Sequence, residues 1–209
     1  MVSTSDIQVW LSADVDALTG EQLRDLDRRA VGWSVKVVSR VTPDQLDLPT
    51  PCAGWTLGDL LRHMVAQHRG FAAAAQGLPA GAEVWEDASL GVDPAGTYTD
   101  AAAAVTAAFA ADGMLDRSVD VYGYGVFRAP VVLGMHFVDY LVHGWDVARS
   151  VGDTQPLDPE LSAAGLAVAL RWPYHRPDKA FAVKVDVPQT APDGDRLIGY
   201  LGRSPGWPG

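Results

Sequence analysis

Apolar residues recur at helical spacing over one stretch of this sequence after another. Prolines or glycines break each stretch, so the chain is constrained to pack amphipathic helices against one another. The first such stretch, residues 21–41, carries Leu23, Leu26, Ala30, Val31, Val35 and Val38 at that spacing, and Pro43, Pro49 and Pro51 then force an extended connection. Thr56 with Asp59 three residues on makes a capping box that opens a second helix running to about Gln76. Residues 77–96 are Gly/Pro-rich and acidic and read as a surface loop, and residues 97–111 read as a third helix from alanine propensity. Residues 113–128 read as irregular, with Gly123 and Gly125 among tyrosines. Pro130 fits the first turn of a fourth helix that reaches about Ser150. Residues 161–171 form a shorter fifth helix before Pro173, and residues 181–187 read as a strand in a Pro/Gly-rich tail. The predicted fold is all-α, a bundle of four to five helices with a short irregular C-terminal tail. It forms a single domain over residues 1–209, with its core at about 21–172 and an extension at 173–209.

Charge and cysteine content exclude several classes of function. The 209 residues hold 16 Lys+Arg against 26 Asp+Glu, a formal net charge of −10, which argues against nucleic acid and anionic membrane surfaces as partners. No apolar run approaches the roughly 20 residues of a membrane span. The first sixteen residues lack the basic start of a signal peptide, so a cytoplasmic protein is expected. Cys52 has no second cysteine to pair with. Walker, dinucleotide-fingerprint, nucleophile-elbow and His-Glu-x-x-His motifs are all missing from the sequence.

The chemistry is therefore sought among the five histidines. On the fourth helix His136, Asp139 and His143 fall at i, i+3 and i+7, within about 60° of one another on an otherwise apolar face. A carboxylate and two imidazoles on such a face must be hydrogen-bonded, paired or bound to metal. Asp139 and His143 have the acid-x-x-x-His spacing that lets one helix offer two ligands to one ion. An internal Asp–His pair or a solvated face is the alternative. Catalytic zinc takes three protein ligands, so the third must come from another helix. His63 and His68 on the second helix are the candidates, and the helical wheel leans slightly to His68.

The run Thr50-Pro-Cys-Ala-Gly-Trp-Thr56 followed by Asp59-Leu-Leu-Arg-His63-Met resembles the opening signature of the DinB-like family. More narrowly it resembles the metal-binding domain of mycothiol-dependent maleylpyruvate isomerases. Asp139-Tyr-Leu-Val-His143-Gly-Trp-Asp-Val-Ala148 resembles the second signature, and Leu201-Gly-Arg-Ser-Pro205 a motif near the C-terminus. The resemblance implies a DinB-like bundle whose metal ligands are His63, Asp139 and His143. Aspartate stands where the isomerase usually carries glutamate. His136 has no counterpart; it is expected to be a catalytic acid/base, a support for Asp139 or a fourth ligand, with a satisfied buried histidine as the equal alternative. Asp146 is expected either to brace the metal helix or to make a surface salt bridge. Cys52 is expected to be a buried structural thiol, and Trp55 and Trp145 to be packing residues. Tyr122 and Tyr124 are candidate substrate contacts, and His175 is expected on an exposed turn or at the mouth of a pocket.

The resemblance implies a divalent ion, zinc first and nickel or iron as alternatives, with mycothiol as the thiol. The reaction would be an isomerisation or S-transfer on a small molecule, and the resemblance leaves pairing into a homodimer open. Two other readings stand beside it. One is a thiol-independent tailoring enzyme (lyase, hydrolase or cyclase) of natural-product biosynthesis, and the other is a non-catalytic metal-binding protein.

Overall fold

A computed structural model describes residues 18–86, 88–171 and 182–208. The described chain divides into two compact units, Leu18–Thr154 and a second one from residue 155 onward.

In the larger unit, α1 spans Gly20–Val38 and opens with Thr19 and Gln22 capping each other's backbone N–H. It ends three residues short of the predicted boundary because the chain is already turning toward Pro43. The Val41 N–H bonds the Val38 carbonyl there, one residue closer than in an α-helix. Helix α2 is Leu57–Gln76. Thr56 and Asp59 cap it reciprocally, as the sequence predicts, and Gly77 closes it in the left-handed region at φ 72°.

The stretch 77–96 is more than a surface loop. It contains a single-turn helix, α3 (Ala82–Trp85), and it buries Trp85, Ala88 and Leu90. Trp85 packs edge-on to Phe71 and fills the space over Gly70, where a Cβ would stand 2.2 Å from the indole. Helix α4 (Pro94–Ala110) starts three residues before the predicted boundary. Asp93 accepts the Gly96 N–H at 2.9 Å, and Pro94 occupies the first turn, where its missing N–H is harmless.

Residues 113–128 are not irregular throughout. Ser118–Val121 (β1) and Gly125–Arg128 (β2) form an antiparallel hairpin that pairs Ser118 with Arg128 and Val121 with Gly125. Its strands are too short to show periodicity. Even so, Val119, Val121 and Phe127 point inward, and Gly123 supplies a positive φ of 77° at the turn. The hairpin leads directly into α5, Ala129–Ser150.

Helices α1, α5, α2 and α4 pack in a closed ring, each against the next. Leu60, Leu61, Val105, Leu133, Phe137 and Leu141 fill the interior with no solvent exposure beyond 1%. Helices α1 and α5 meet closely at Gly144, where an added Cβ would lie 2.5 Å from the Trp33 ring. The ring of helices brings His63 of α2 toward the outer half of α5.

The second unit contains α6 (Pro159–Ala169), capped by Asp158, and α7 (Asp193–Tyr200), which pack on each other. Residues 182–187 do not form the predicted strand, and Phe181 lies outside the described residues. No neighbouring strand is offered to this segment among the described residues. It lies along α7 instead, with the Val185 N–H donated to the Gly199 carbonyl at 2.9 Å. His175 also lies outside the described residues. Among the described residues no helix is long and apolar enough to cross a membrane.

Candidate metal centre

Helix α5 carries Asp139 and His143 one turn apart, so both project from the same side. Their nearest approach, His143 Nε2 to Asp139 Oδ1, is 3.5 Å. Helix α2 brings His63 to them across the bundle. The His63 and His143 rings lie edge to face with centroids 5.2 Å apart. One ligand atom from each of His63, Asp139 and His143 falls within 4.8 Å of the other two. The three residues predicted from different parts of the chain therefore converge, and His68 does not join them.

The site is closed behind and open in front. The His143 side chain is 4% exposed, whereas His63 and Asp139 are half-buried. Trp55 sets its ring edge-on to His63 at 4.9 Å and is itself 38% exposed. It is thus a wall of the opening more than a core packing residue; Trp145, by contrast, is buried. The Tyr124 hydroxyl of the hairpin turn is pushed up by local burial and then by the charge of Asp139, although the residue as a whole is 43% exposed. Tyr122 stands exposed at the same turn.

Behind His143 stand two residues, Asp146, for which the sequence left bracing and a surface salt bridge open, and Cys52, whose part the sequence did not show. Asp146 is fully buried, and its Oδ2 accepts the His143 Nδ1–H at 3.0 Å. It therefore braces the imidazole and makes no surface salt bridge. Cys52 donates its S–H to the same oxygen at 3.1 Å, and its sulfur stands 3.9 Å from His143 Nδ1. Cys52 has no histidine near it in sequence, but the turn at Thr50 carries it to α5. The Thr50 hydroxyl accepts the Cys52 N–H and donates to the Trp55 carbonyl. Asp146 had a usable signal: a carboxylate three residues beyond a histidine on one helix can reach that histidine's inner ring nitrogen.

Burial alone would press the His143 imidazolium toward neutrality. Asp139, Asp146 and Cys52 outweigh it and push its pKa up to about 10, from the ordinary 6.5. A histidine whose folded pKa is raised lends stability that is complete below its unfolded pKa and lost as pH climbs through the folded one. Metal-free protein is therefore expected to melt at progressively lower temperature between pH 6.5 and about pH 10. A melting temperature that stays level or rises across that window in chelator-treated samples would contradict this assignment.

His136 lies in a different polar layer of the same bundle. Its Nδ1 bonds Asp27 of α1 at 2.6 Å and its Nε2 meets His68 Nδ1 at 3.2 Å, all fully or nearly fully buried. His68 stacks on Tyr140 at 3.7 Å, and the Tyr140 hydroxyl donates to the Met64 carbonyl. Burial, and then the nearby His136, hold the His68 imidazole well below the usual range, so it is neutral.

Comparison with known proteins bears on the family and the fold. Residues 11–148 match the family described as the mycothiol maleylpyruvate isomerase N-terminal domain. Two uncharacterised proteins of Mycobacterium tuberculosis, from strains CDC 1551 and H37Rv, are each 33% identical over 187 residues, covering 85% of this chain and 95% of theirs. A crystal structure of a mycothiol-dependent maleylpyruvate isomerase superposes with a TM-score of 0.55 at 15% identity, covering 74% of this chain and 69% of that one, and so shares the fold. On the strength of that family match and of the helical ring that carries it, the chain belongs to the mycothiol maleylpyruvate isomerase N-terminal domain family, with a DinB-like fold.

Proposed function

We propose that this protein is a divalent-metal-dependent enzyme of the mycothiol-dependent maleylpyruvate isomerase type, acting on a small molecule by isomerisation or S-transfer. The observation that carries the reading is the convergence of His63, Asp139 and His143, with the far nitrogen of His143 tied to the buried Asp146. Two imidazoles and one carboxylate suit zinc, iron or nickel, and three protein ligands leave room for a fourth, exchangeable one. The donor set fits. Such an ion, when bound, supplies Lewis acidity that lowers the pKa of a thiol or water, or polarises a carbonyl.

The protein's own residues have separable tasks. Asp146 holds the proton on Nδ1, so the proton a bound ion would displace from His143 is the one on Nε2, at the front of the site. Asp139 contributes the negative charge from the half-exposed rim. Aspartate is one methylene shorter than glutamate, which draws the site toward α5. Trp55 flanks the opening with aromatic surface suited to a small organic substrate, and Tyr124 lies near enough to feel the charge of Asp139. A cytoplasmic setting, where low-molecular-weight thiols stay reduced, belongs to the same reading.

The test uses Co2+ as a coloured probe in a Cys52→Ser background, so that any sulfur signal comes from added thiol. Titration with mycothiol is expected to bring in a thiolate-to-cobalt absorption that His143→Ala abolishes. No absorption at saturating mycothiol would remove the thiol from the proposal and favour the thiol-independent tailoring reading.

A further inference from the structure

We propose that Cys52, Asp146 and the Nδ1 side of His143 form a second cation position, one that takes a thiophilic divalent ion such as Zn2+ or Cd2+. It lies on the opposite ring nitrogen from the His63–Asp139 centre and draws on different elements, the turn before α2 and the last third of α5. The three donor atoms form a triangle of sides 3.1, 3.0 and 3.9 Å. The centre of such a triangle is about 2.0 Å from each corner, and an ion slightly out of the plane meets the bond lengths of roughly 2.0–2.2 Å to nitrogen and oxygen and 2.3 Å to sulfur.

At present two protons occupy this triangle, one on Cys52 Sγ and one on His143 Nδ1, both donated to Asp146 Oδ2. A divalent cation replaces those two protons with the oxygen, sulfur and nitrogen already in place, and with the front centre also filled His143 gives up its Nε2 proton too and bridges the two ions as an imidazolate. The charge also balances. Thiolate and carboxylate together neutralise a 2+ ion, which matters where Asp146 and His143 are buried. The front centre, with a single carboxylate, leaves a net positive charge. Softness separates the two positions further, since a thiolate favours zinc or cadmium over the harder ions that imidazole and carboxylate also accept. Cys52 is only partly buried, which gives an ion a way in.

The two positions share His143 but differ in every other ligand, so their fates can be read separately. Cd2+ is the probe, because cadmium bound to thiolate absorbs in the ultraviolet and cadmium bound to imidazole and carboxylate does not. Wild-type protein is expected to bind two equivalents and show the thiolate absorption. His63→Ala is expected to keep the absorption with one equivalent, and Cys52→Ser to lose it with one equivalent. Asp146→Asn is expected to weaken the binding read by that absorption about tenfold or more, while the circular dichroism of the helices is unchanged. Wild-type protein lacking the absorption at stoichiometric Cd2+ would overturn the proposal and leave the triangle as a hydrogen-bonded brace. Equal affinity in Asp146→Asn would also overturn it, since an unassisted thiol would then be capturing the ion. If Cys52→Ser does not fold, the Asp146→Asn comparison decides alone. Wild-type protein that binds a single equivalent with the full thiolate absorption would tell against the front centre only.

Discussion

Replacing His63 with alanine is expected to strip the purified protein of its front-site ion while leaving the helical ring intact. His63 is half-buried, and its ring contacts include edge-on ones to Trp55 and His143. Truncation there removes a ligand without opening a sealed cavity, so the stability change is expected to stay near the roughly 1 kcal/mol of an ordinary substitution. The effect on metal is different in scale. Losing a supporting partner of a ligand costs about 10–100-fold in affinity, and losing the ligand itself is expected to exceed the upper end of that range. His143→Ala is expected to be at least as severe, because that ring supplies the donor between Asp139 and Asp146. Elemental analysis after gel filtration, paired with chelator competition, reads both variants in a Cys52→Ser background, so that only the front-site ion is counted. Stoichiometric metal that resists competition in each of them would remove His63 and His143 from the ligand set, and the proposed chemistry with them.

The helices were legible because capping and breaking are local. Thr56, Asp59 and Gly77 bound α2, and all three act within a few residues of themselves. The hairpin was missed because four-residue strands carry too few alternations to register. The choice between His63 and His68 was not local either. Helix α2 touches both α4 and α5, so it has two inward directions rather than one. His68 takes the direction toward Tyr98 and His136, and His63 the direction toward His143. A helical wheel averages these directions into a single stripe, and only the resemblance to the family separated them. Cys52 was illegible for a third reason. A hydrogen-bonded turn at Thr50 sets its position, and no periodic pattern reports such a turn.

His136 illustrates how the same residue type on the same helix face can serve a different end. Its partner Asp27 is 2% exposed, and the imidazole is the group that meets that carboxylate, at 2.6 Å. Truncating His136 to alanine leaves Asp27 buried beside a void lined by Phe71, Phe109 and Tyr140. Breaking a buried pair by removing one member is typically worth about 3–5 kcal/mol, a large part of the 5–15 kcal/mol that holds a domain folded. His136→Ala is therefore expected to lose about that much in urea unfolding, with a fall in melting temperature of roughly 10 °C. Metal bound per folded molecule is expected to remain that of the wild type, because neither ring nitrogen of His136 faces the ion's ligands. Replacing both members with apolar residues, Asp27→Leu with His136→Phe, is expected to recover most of the loss, since no charge is then left without a partner. A His136→Ala protein that unfolds like the wild type yet fails in catalysis would reverse the assignment. His136 would then belong with the reacting groups, and the Asp27 contact would have to be read as tuning its proton affinity rather than as holding α1 against α5.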